Sequence, residues 1–101
     1  MSYADVIKAT AERCDDGTYI FSVTVQHEDE GWDHYADRWE IIGPSDEILA
    51  ARVLLHPHVG EKSFTRTKAG VSIPETIERV RVRAHDSLHG YGGIETTVIL
   101  T

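Results

Sequence analysis

The stretch Thr18–His27 constrains the fold of this chain more than any other part of the sequence. Aromatic and β-branched side chains recur in it at every second position, namely Tyr19, Phe21, Val23 and Val25. This period of two is typical of a β-strand with one buried face. Asp16-Gly17, directly before it, is a dipeptide that favours a tight reversal between two strands. The stretch therefore predicts a strand that is entered through a hairpin.

Similar alternation, broken by turn residues, recurs along the 101-residue chain. The expected strands are Tyr3–Ala11, Thr18–His27, Trp32–Ile42, Glu47–His58, a short edge strand around Phe64, an edge piece at residues 71–74, Glu75–Asp86 and Ile94–Thr101. Short strands at this spacing are typical of an all-β sandwich. We expect one domain over residues 1–101, built as a single antiparallel β-sandwich of about seven strands.

The segment 45–56 has two interpretations. Ser45 followed by Asp46 and Glu47 is a favourable start for a helix. Against a helix, the residue before Pro57 avoids the helical region of backbone space. Alternation of apolar side chains over Glu47–His58 favours a strand. We favour the strand and keep the helix as the alternative.

The expected arrangement resembles immunoglobulin-like and fibronectin type III-like domains. Trp39 on the third strand and the alternating residues Arg79–Ala84 on the sixth carry this resemblance. It implies that strands three and six pair antiparallel in one sheet. It implies a fold and no function.

Charge and composition exclude several functions. The formal net charge of −7 leaves no basic face for nucleic acid. Cys14 is the only cysteine, so the chain has no internal disulfide and no cysteine-based zinc site. No apolar run approaches membrane-spanning length, which predicts no membrane contact and a cytoplasmic protein. The acidic residues 28–30 are expected to form a solvated loop.

The histidines carry the strongest functional signal. If Ile42 pairs with Ile48, and if Tyr35, Asp37 and Trp39 face the core, then His34 lies opposite both His56 on strand four and His85 on strand six. The candidate metal ligands at this end of the sandwich are His34, His56, His58, His85 and His89. Imidazole ligands suit zinc, copper, nickel or iron. Asp33 and Asp86 are candidates for supporting acceptors or for an oxygen ligand.

Two short motifs are similar to those of superoxide reductases, which are immunoglobulin-like domains with iron bound at one end. His89-Gly90 is similar to the segment that holds the last histidine ligand there, and His56-Pro57 is similar to the context of an earlier ligand. This chain has no cysteine near residues 85–89 and lacks the family's lysine-bearing ligand loop. The resemblance therefore implies a metal at this end of a sandwich rather than that activity.

Two further hypotheses use the same end of the molecule. Trp32, Tyr35 and Tyr91 beside the glycine-rich segment 90–93 predict a rim that recognises a protein, an acidic peptide or a small anion, with Asp86 nearby. Clustered imidazoles also predict a surface that responds to pH near 6. An enzyme is not expected, because Ser87 lies in no nucleophile motif and no catalytic residue stands out.

Overall fold

The computed structural model describes residues 3–27, 29 and 31–100, which form two antiparallel sheets. The strands are β1 (Asp5–Arg13), β2 (Tyr19–Gln26), β3 (Ala36–Ile42), β4 (Ile48–Val53), β5 (Ser63–Val71), β6 (Arg79–Asp86) and β7 (Thr96–Ile99). One sheet has the order β1-β2-β5 and the other β4-β3-β6-β7. The predicted all-β sandwich is confirmed. Within the described ranges, no helix is long and apolar enough to cross a bilayer.

The core lies between the two sheets, where alternate residues of β2, β3 and β6 face each other. Its largest buried side chains are Trp39, Phe21, Ile41, Val23, Val25, Val80 and Val82. The period-two pattern that predicted these strands thus gives the buried face directly. Trp39 is fully buried, as expected for the core residue of the third strand.

The boundaries of β1, β3 and β7 differ from the expected ones. β1 begins at Asp5 and continues to Arg13, two residues beyond the prediction. β3 begins at Ala36 rather than Trp32, because Gly31 has a positive φ of 126° and the chain turns at residues 31–34 before it extends. β7 covers Thr96–Ile99 only. Thr101, at the end of the expected last strand, lies outside the described residues.

Residues 45–56 form no helix, and the strand interpretation is confirmed for Ile48–Val53. The hairpin before it is closed by the N–H of Gly43, which donates to the carbonyl of Glu47 at 2.9 Å. Asp46 adopts a positive φ of 62°, which a helix cannot accommodate. The strand ends at Val53, so the His56-Pro57-His58 segment lies in a loop rather than on the sheet.

The fifth strand is longer than expected. The polar segment was predicted to hold a short edge strand around Phe64, but β5 spans nine residues and includes Val71. Its position at the edge of the three-stranded sheet is as predicted. The polar side chains of this strand are explained by the edge position, because one side of an edge strand faces water.

Strands β3 and β6 pair antiparallel, as the immunoglobulin-like resemblance implied, but the expected register is wrong. A bulge between Ala36 and Arg38 places Ala36 opposite Asp86 and Arg38 opposite His85. The extra residue, Asp37, turns away from the core, while Ala36 and Trp39 are both buried. Ile42 pairs with Ile48 as expected, but a register shift between Ile41 and Ile42 moves the pairing of the earlier β3 residues with β4 by one position. His34 precedes the strand and faces neither His56 nor His85.

Gly93→Ala is expected to lower the free energy of unfolding by about 1–3 kcal/mol, measured by urea denaturation. A Cβ at Gly93 would lie 2.0 Å from the backbone oxygen of Ala4, where the chain before β7 runs beside β1. Gly43→Ala is the control, because its Cβ would meet the carboxylate of Glu47 at 2.0 Å. That side chain can rotate away. Equal losses for the two variants would contradict this account.

Candidate metal centre

The candidate site lies at one end of the sandwich, where β2 and β6 end and β3 begins. Four polar side chains are buried there, and they belong to His27, Asp29, His34 and Asp86. We call these four residues the His/Asp cluster. Burying charged and polar groups costs free energy unless they bond to one another. The contacts within the His/Asp cluster therefore determine whether the cost of burying these groups is offset.

Asp86 is the centre of the cluster and is fully buried. It continues the inward alternation of Val82 and Ala84 along β6. Its Oδ1 accepts the backbone N–H groups of Leu88 at 2.7 Å and His89 at 2.9 Å. Its Oδ2 thereby remains for side chains, and this atom faces the histidines.

Two imidazoles converge on the Oδ2 of Asp86. The Nε2 of His27 lies 2.5 Å from it, and the Nε2 of His34 lies 2.7 Å from it. Burial raises the pKa of the Asp86 carboxyl, but the hydrogen bonds from His89, Leu88, His34 and His27 outweigh it and lower that pKa to about 2. Asp86 is therefore a carboxylate at any ordinary pH.

His27 is held between two carboxylates. Its Nδ1 lies 2.6 Å from the Oδ1 of Asp29, and its Nε2 faces Asp86. The side chains of all three residues are 0% exposed. Because carboxylates only accept hydrogen bonds, this arrangement requires a donor at each ring nitrogen. The His27 ring is thereby fixed in both position and orientation.

Asp29 orients the cluster rather than lying in a solvated loop as expected. Its Oδ1 also accepts the N–H of Ala36 at 3.1 Å, and its Oδ2 accepts the N–H of His58 at 2.6 Å. It therefore ties the loop after β2 to the start of β3 and to the loop after β4. Glu28 and Glu30, the other acidic residues of that expected loop, lie outside the described residues.

His34 is held by the turn that precedes β3. Its backbone N–H donates to the carbonyl of Gly31 at 3.2 Å, and its side chain is 9% exposed. The ring meets that of His27 edge-on at 5.0 Å and that of His89 at 4.8 Å between centroids. His34 thus lies between two other imidazoles, although not between the two that the sequence predicted.

The geometry of the cluster is compatible with a metal ion. The ligand atoms of His27, His34 and Asp86 all lie within 4.8 Å of one another. Two ligands at 2.0–2.2 Å from a tetrahedral ion are about 3.3–3.6 Å apart. The distances of 2.5 and 2.7 Å from Asp86 to the two histidines are shorter. The atoms must therefore separate by about 1 Å to admit an ion in place of the hydrogen-bonded protons.

His56 and His58, two of the predicted ligands, lie outside this group of ligand atoms. His58 is buried and stacks on Phe64 at 3.9 Å, and its Nε2 accepts a hydrogen bond from Arg66 at 2.8 Å. Burial, followed by the charge of Arg66, lowers the pKa of His58. His56 is exposed, with its ring 4.8 Å from that of His58. The pair is linked to the cluster through Asp29, whose Oδ2 accepts the backbone N–H of His58 at 2.6 Å and lies 3.7 Å from the Nδ1 of the His58 ring.

His85 is separated from the cluster by the sheet itself. Successive residues of a strand point to opposite faces, so an inward Asp86 requires an outward His85. Its Nδ1 lies 2.6 Å from the Oδ1 of Asp37 on the outer face. The predicted pairing of His34 with His85 is therefore wrong. His89, a predicted ligand in the turn after β6, lies beside the cluster, with its ring 4.8 Å from that of His34.

The residues predicted to bind a partner are divided between two surfaces. Trp32 is 68% exposed on the rim, and its ring meets that of Tyr35 at 5.7 Å. Tyr91 instead lies on the outer face of the four-stranded sheet. Its hydroxyl donates to Glu40 at 2.9 Å and accepts from Arg38 at 2.8 Å. Asp86, the fourth predicted residue, is the buried centre of the His/Asp cluster.

His27 is a residue that sequence reasoning missed, since it was expected to end the second strand and was left out of the site. The signal was present, because His27 has the same parity as Val23 and Val25, which face the core along β2. A histidine at the next inward position after a strand points at the end of the core. The same alternation places Asp86, at the end of β6, on the inward face of the sheet.

Comparison with known proteins gives one relative and no family. No protein-family model and no solved structure matches the chain. A protein of Halomicrobium mukohataei named "Putative lipoprotein" is 40% identical over 90 residues, which cover 89% of this chain and 44% of that protein. The chain thus spans less than half the length of the relative that it matches. This similarity relates the β-sandwich with its buried His/Asp cluster to a protein whose name specifies no activity.

Proposed function

We propose that this β-sandwich is a metal-binding module whose site is formed by His27, His34 and Asp86. The observation that carries the proposal is the convergence of their three buried ligand atoms within 4.8 Å. Two imidazole nitrogens and a carboxylate oxygen are ligands of zinc, copper and iron, whereas calcium and magnesium prefer oxygen alone.

The contact between Asp29 and His27 supports a metal site. Metal-binding histidines commonly donate their second ring N–H to a carboxylate, which fixes the ring and makes the ligand nitrogen more basic. The Nδ1 of His27 has this partner at 2.6 Å, while its Nε2 points into the cluster. Asp29 is itself fixed by two backbone N–H groups, so His27 is oriented before any ion arrives.

The free-energy cost of burying the His/Asp cluster also supports a metal-binding function. Replacing buried ionic groups by apolar residues of similar volume is often neutral or stabilising. A chain of 101 residues has little apolar core to spare, yet it buries two carboxylates beside several imidazoles. Stability alone does not require such a cluster, whereas ion binding does.

Zinc is expected to stabilise the chain against thermal unfolding. At a free Zn²⁺ concentration 100 times the dissociation constant, one bound ion raises the melting temperature by about 10–20 °C. The measurement is thermal denaturation in Zn²⁺, in Mg²⁺ and in a chelator. His34→Ala should remove the zinc effect, and Mg²⁺ should have none. Equal melting temperatures in Zn²⁺ and chelator would rule out the metal site.

A partner-binding rim is the second candidate function, and the exposure of Trp32 favours it. A tryptophan that is 68% exposed, beside Tyr35, is unusual unless something covers it. Such a partner would bind at the loop 31–35, directly outside His34. Tyr91 does not support a partner-binding rim, because its hydroxyl is already hydrogen-bonded to Arg38 and Glu40.

The relative also bears on localisation. A lipoprotein is attached to a membrane through a lipid, so the name of the Halomicrobium mukohataei protein favours an exported or anchored location over the cytoplasmic one expected from the sequence. The whole protein's role and partners remain part of this proposal, because the match covers 44% of the relative.

A further inference from the structure

From the position of His89, we infer that its Nδ1 is the fourth ligand of a closed, four-coordinate site for a zinc-like divalent ion. This inference rests on the proposed function, because it completes the ligand set of His27, His34 and Asp86. It assigns the site a specific coordination. Three imidazoles and one carboxylate would surround the ion, with no position left for water.

The first observation is that the Nδ1 of His89 is buried and has no hydrogen-bond partner among the residues that the structure describes. Buried ring nitrogens nearly always have a partner, and an unsatisfied one costs about 1–3 kcal/mol. The surrounding atoms do not supply a hydrogen bond, since Asp86 Oδ2 lies 3.6 Å away. An ion between the two atoms would satisfy both.

The second observation is that this distance suits a shared ion. Ligands of a tetrahedral zinc ion are about 3.3–3.6 Å apart, and the separation between His89 Nδ1 and Asp86 Oδ2 is 3.6 Å. His89 Nδ1 and Asp86 Oδ2 therefore need little movement relative to each other to share an ion. His27 and His34 must each move about 1 Å away from Asp86 Oδ2, because each is hydrogen-bonded to that oxygen in this structure.

The third observation is that His89 is fixed by its turn. Its backbone N–H donates to Asp86 Oδ1 at 2.9 Å, and Asp86 and Gly90 are joined by two backbone hydrogen bonds of 2.8 and 2.9 Å. Edge contacts of its ring with those of His34 at 4.8 Å and Tyr3 at 5.8 Å set the ring plane. The turn thereby holds the Nδ1 of His89 in place as a ligand for the ion that the other three residues would bind.

The ligand set predicts the class of ion and its use. Three imidazole nitrogens with one carboxylate suit Zn²⁺ and Co²⁺, which accept four-coordinate tetrahedral sites. Zinc sites that are closed by four protein ligands are structural, whereas catalytic sites keep an open position for water. The ion would therefore hold the loops after β2 and β6 together instead of activating water.

The test compares the wild-type chain with His89→Ala, using Co²⁺ absorption for coordination number and chelator competition for zinc affinity. Wild type should give the intense visible bands of four-coordinate Co²⁺. His89→Ala should give the weak bands of a site completed by water, and its zinc affinity should fall by about 100-fold or more. His56→Ala, which changes an exposed histidine outside the set, should behave as wild type.

The outcomes separate this inference from the proposed function. If His89→Ala keeps both the spectrum and the affinity of wild type, His89 is not a ligand, although the metal site stands. If the wild-type chain binds neither ion, both proposals fail together. The ¹⁵N resonance of His89 Nδ1 in wild type gives a check without any variant. It should shift on adding Zn²⁺, and an unchanged resonance beside shifted His27 and His34 signals would overturn the inference.

Discussion

Asp86→Asn is expected to lower the free energy of unfolding of the metal-free chain by about 3–5 kcal/mol at neutral pH. The asparagine can still accept the N–H groups of Leu88 and His89 through its oxygen. Its amide nitrogen, however, would face the N–H groups of His27 and His34, which puts donors against donors. Urea denaturation of the two proteins in the presence of a chelator measures the difference.

The stability loss caused by Asp86→Asn should depend on pH, because the stabilising form of Asp86 is the carboxylate. The pKa of Asp86 is lowered from 3.8 to about 2 on folding, so ionised Asp86 contributes roughly 2 kcal/mol of stability above pH 3.8. This contribution is lost as the pH falls through about 2. The gap between wild type and Asp86→Asn in the free energy of unfolding should therefore narrow between pH 4 and 2.

Asp33→Asn is the matched control for Asp86→Asn. Asp33 lies in the exposed turn before His34, and the same change there should alter stability by less than about 0.5 kcal/mol at any of these pH values. If Asp86→Asn were as mild as Asp33→Asn, Asp86 would not be the acceptor that organises the His/Asp cluster.

The second large effect is expected on metal affinity. His27→Gln should weaken zinc binding by about 100-fold or more, because it removes the imidazole that Asp29 orients. His85→Gln should leave the affinity unchanged, since His85 lies on the outer face of the sheet with Asp37. Isothermal titration of both variants with Zn²⁺ measures the contrast.

This pair distinguishes the site in the structure from the site expected from the sequence. The expected site contained His85 and omitted His27, so it makes the opposite prediction for both variants. Circular dichroism of His27→Gln should retain the β-sheet signal, because the amide of glutamine can still donate to Asp29. A loss of affinity in His85→Gln with none in His27→Gln would restore the site expected from the sequence.

The bulge in β3 explains why His34, His56 and His85 do not face one another as expected. A regular third strand would place Tyr35, Asp37 and Trp39 on one face, toward the core. The extra residue between Ala36 and Arg38 moves Asp37 outward and exchanges the faces of the positions before it, so that Ala36 is buried while Trp39 keeps its expected inward face. Because side chains alternate with a period of two, a shift of one residue exchanges the two faces. His34 consequently meets Asp86, and His85 meets Asp37.

The alternation of inward and outward residues along each strand is the feature of the fold that the local sequence could predict. Val23, Val25 and His27 share the inward face of β2, and Val82, Ala84 and Asp86 share that of β6. This pattern follows from strand geometry and needs no partner. It predicted the buried strands and the all-β class. Extended to the ends of β2 and β6, the same alternation also places His27 and Asp86 on the inward faces.

Which strand ends meet was decided only in three dimensions. Asp86 is 59 residues from His27 and 52 from His34 along the chain, so no local pattern relates them. Their meeting depends on the bulge in β3, the turn at Gly31 and the packing of one sheet on the other. The sequence by itself determined the strands and their inward faces, because those follow from the alternation of neighbouring residues. The tertiary structure decided the membership of the His/Asp cluster, because register and loop closure depend on contacts between distant segments.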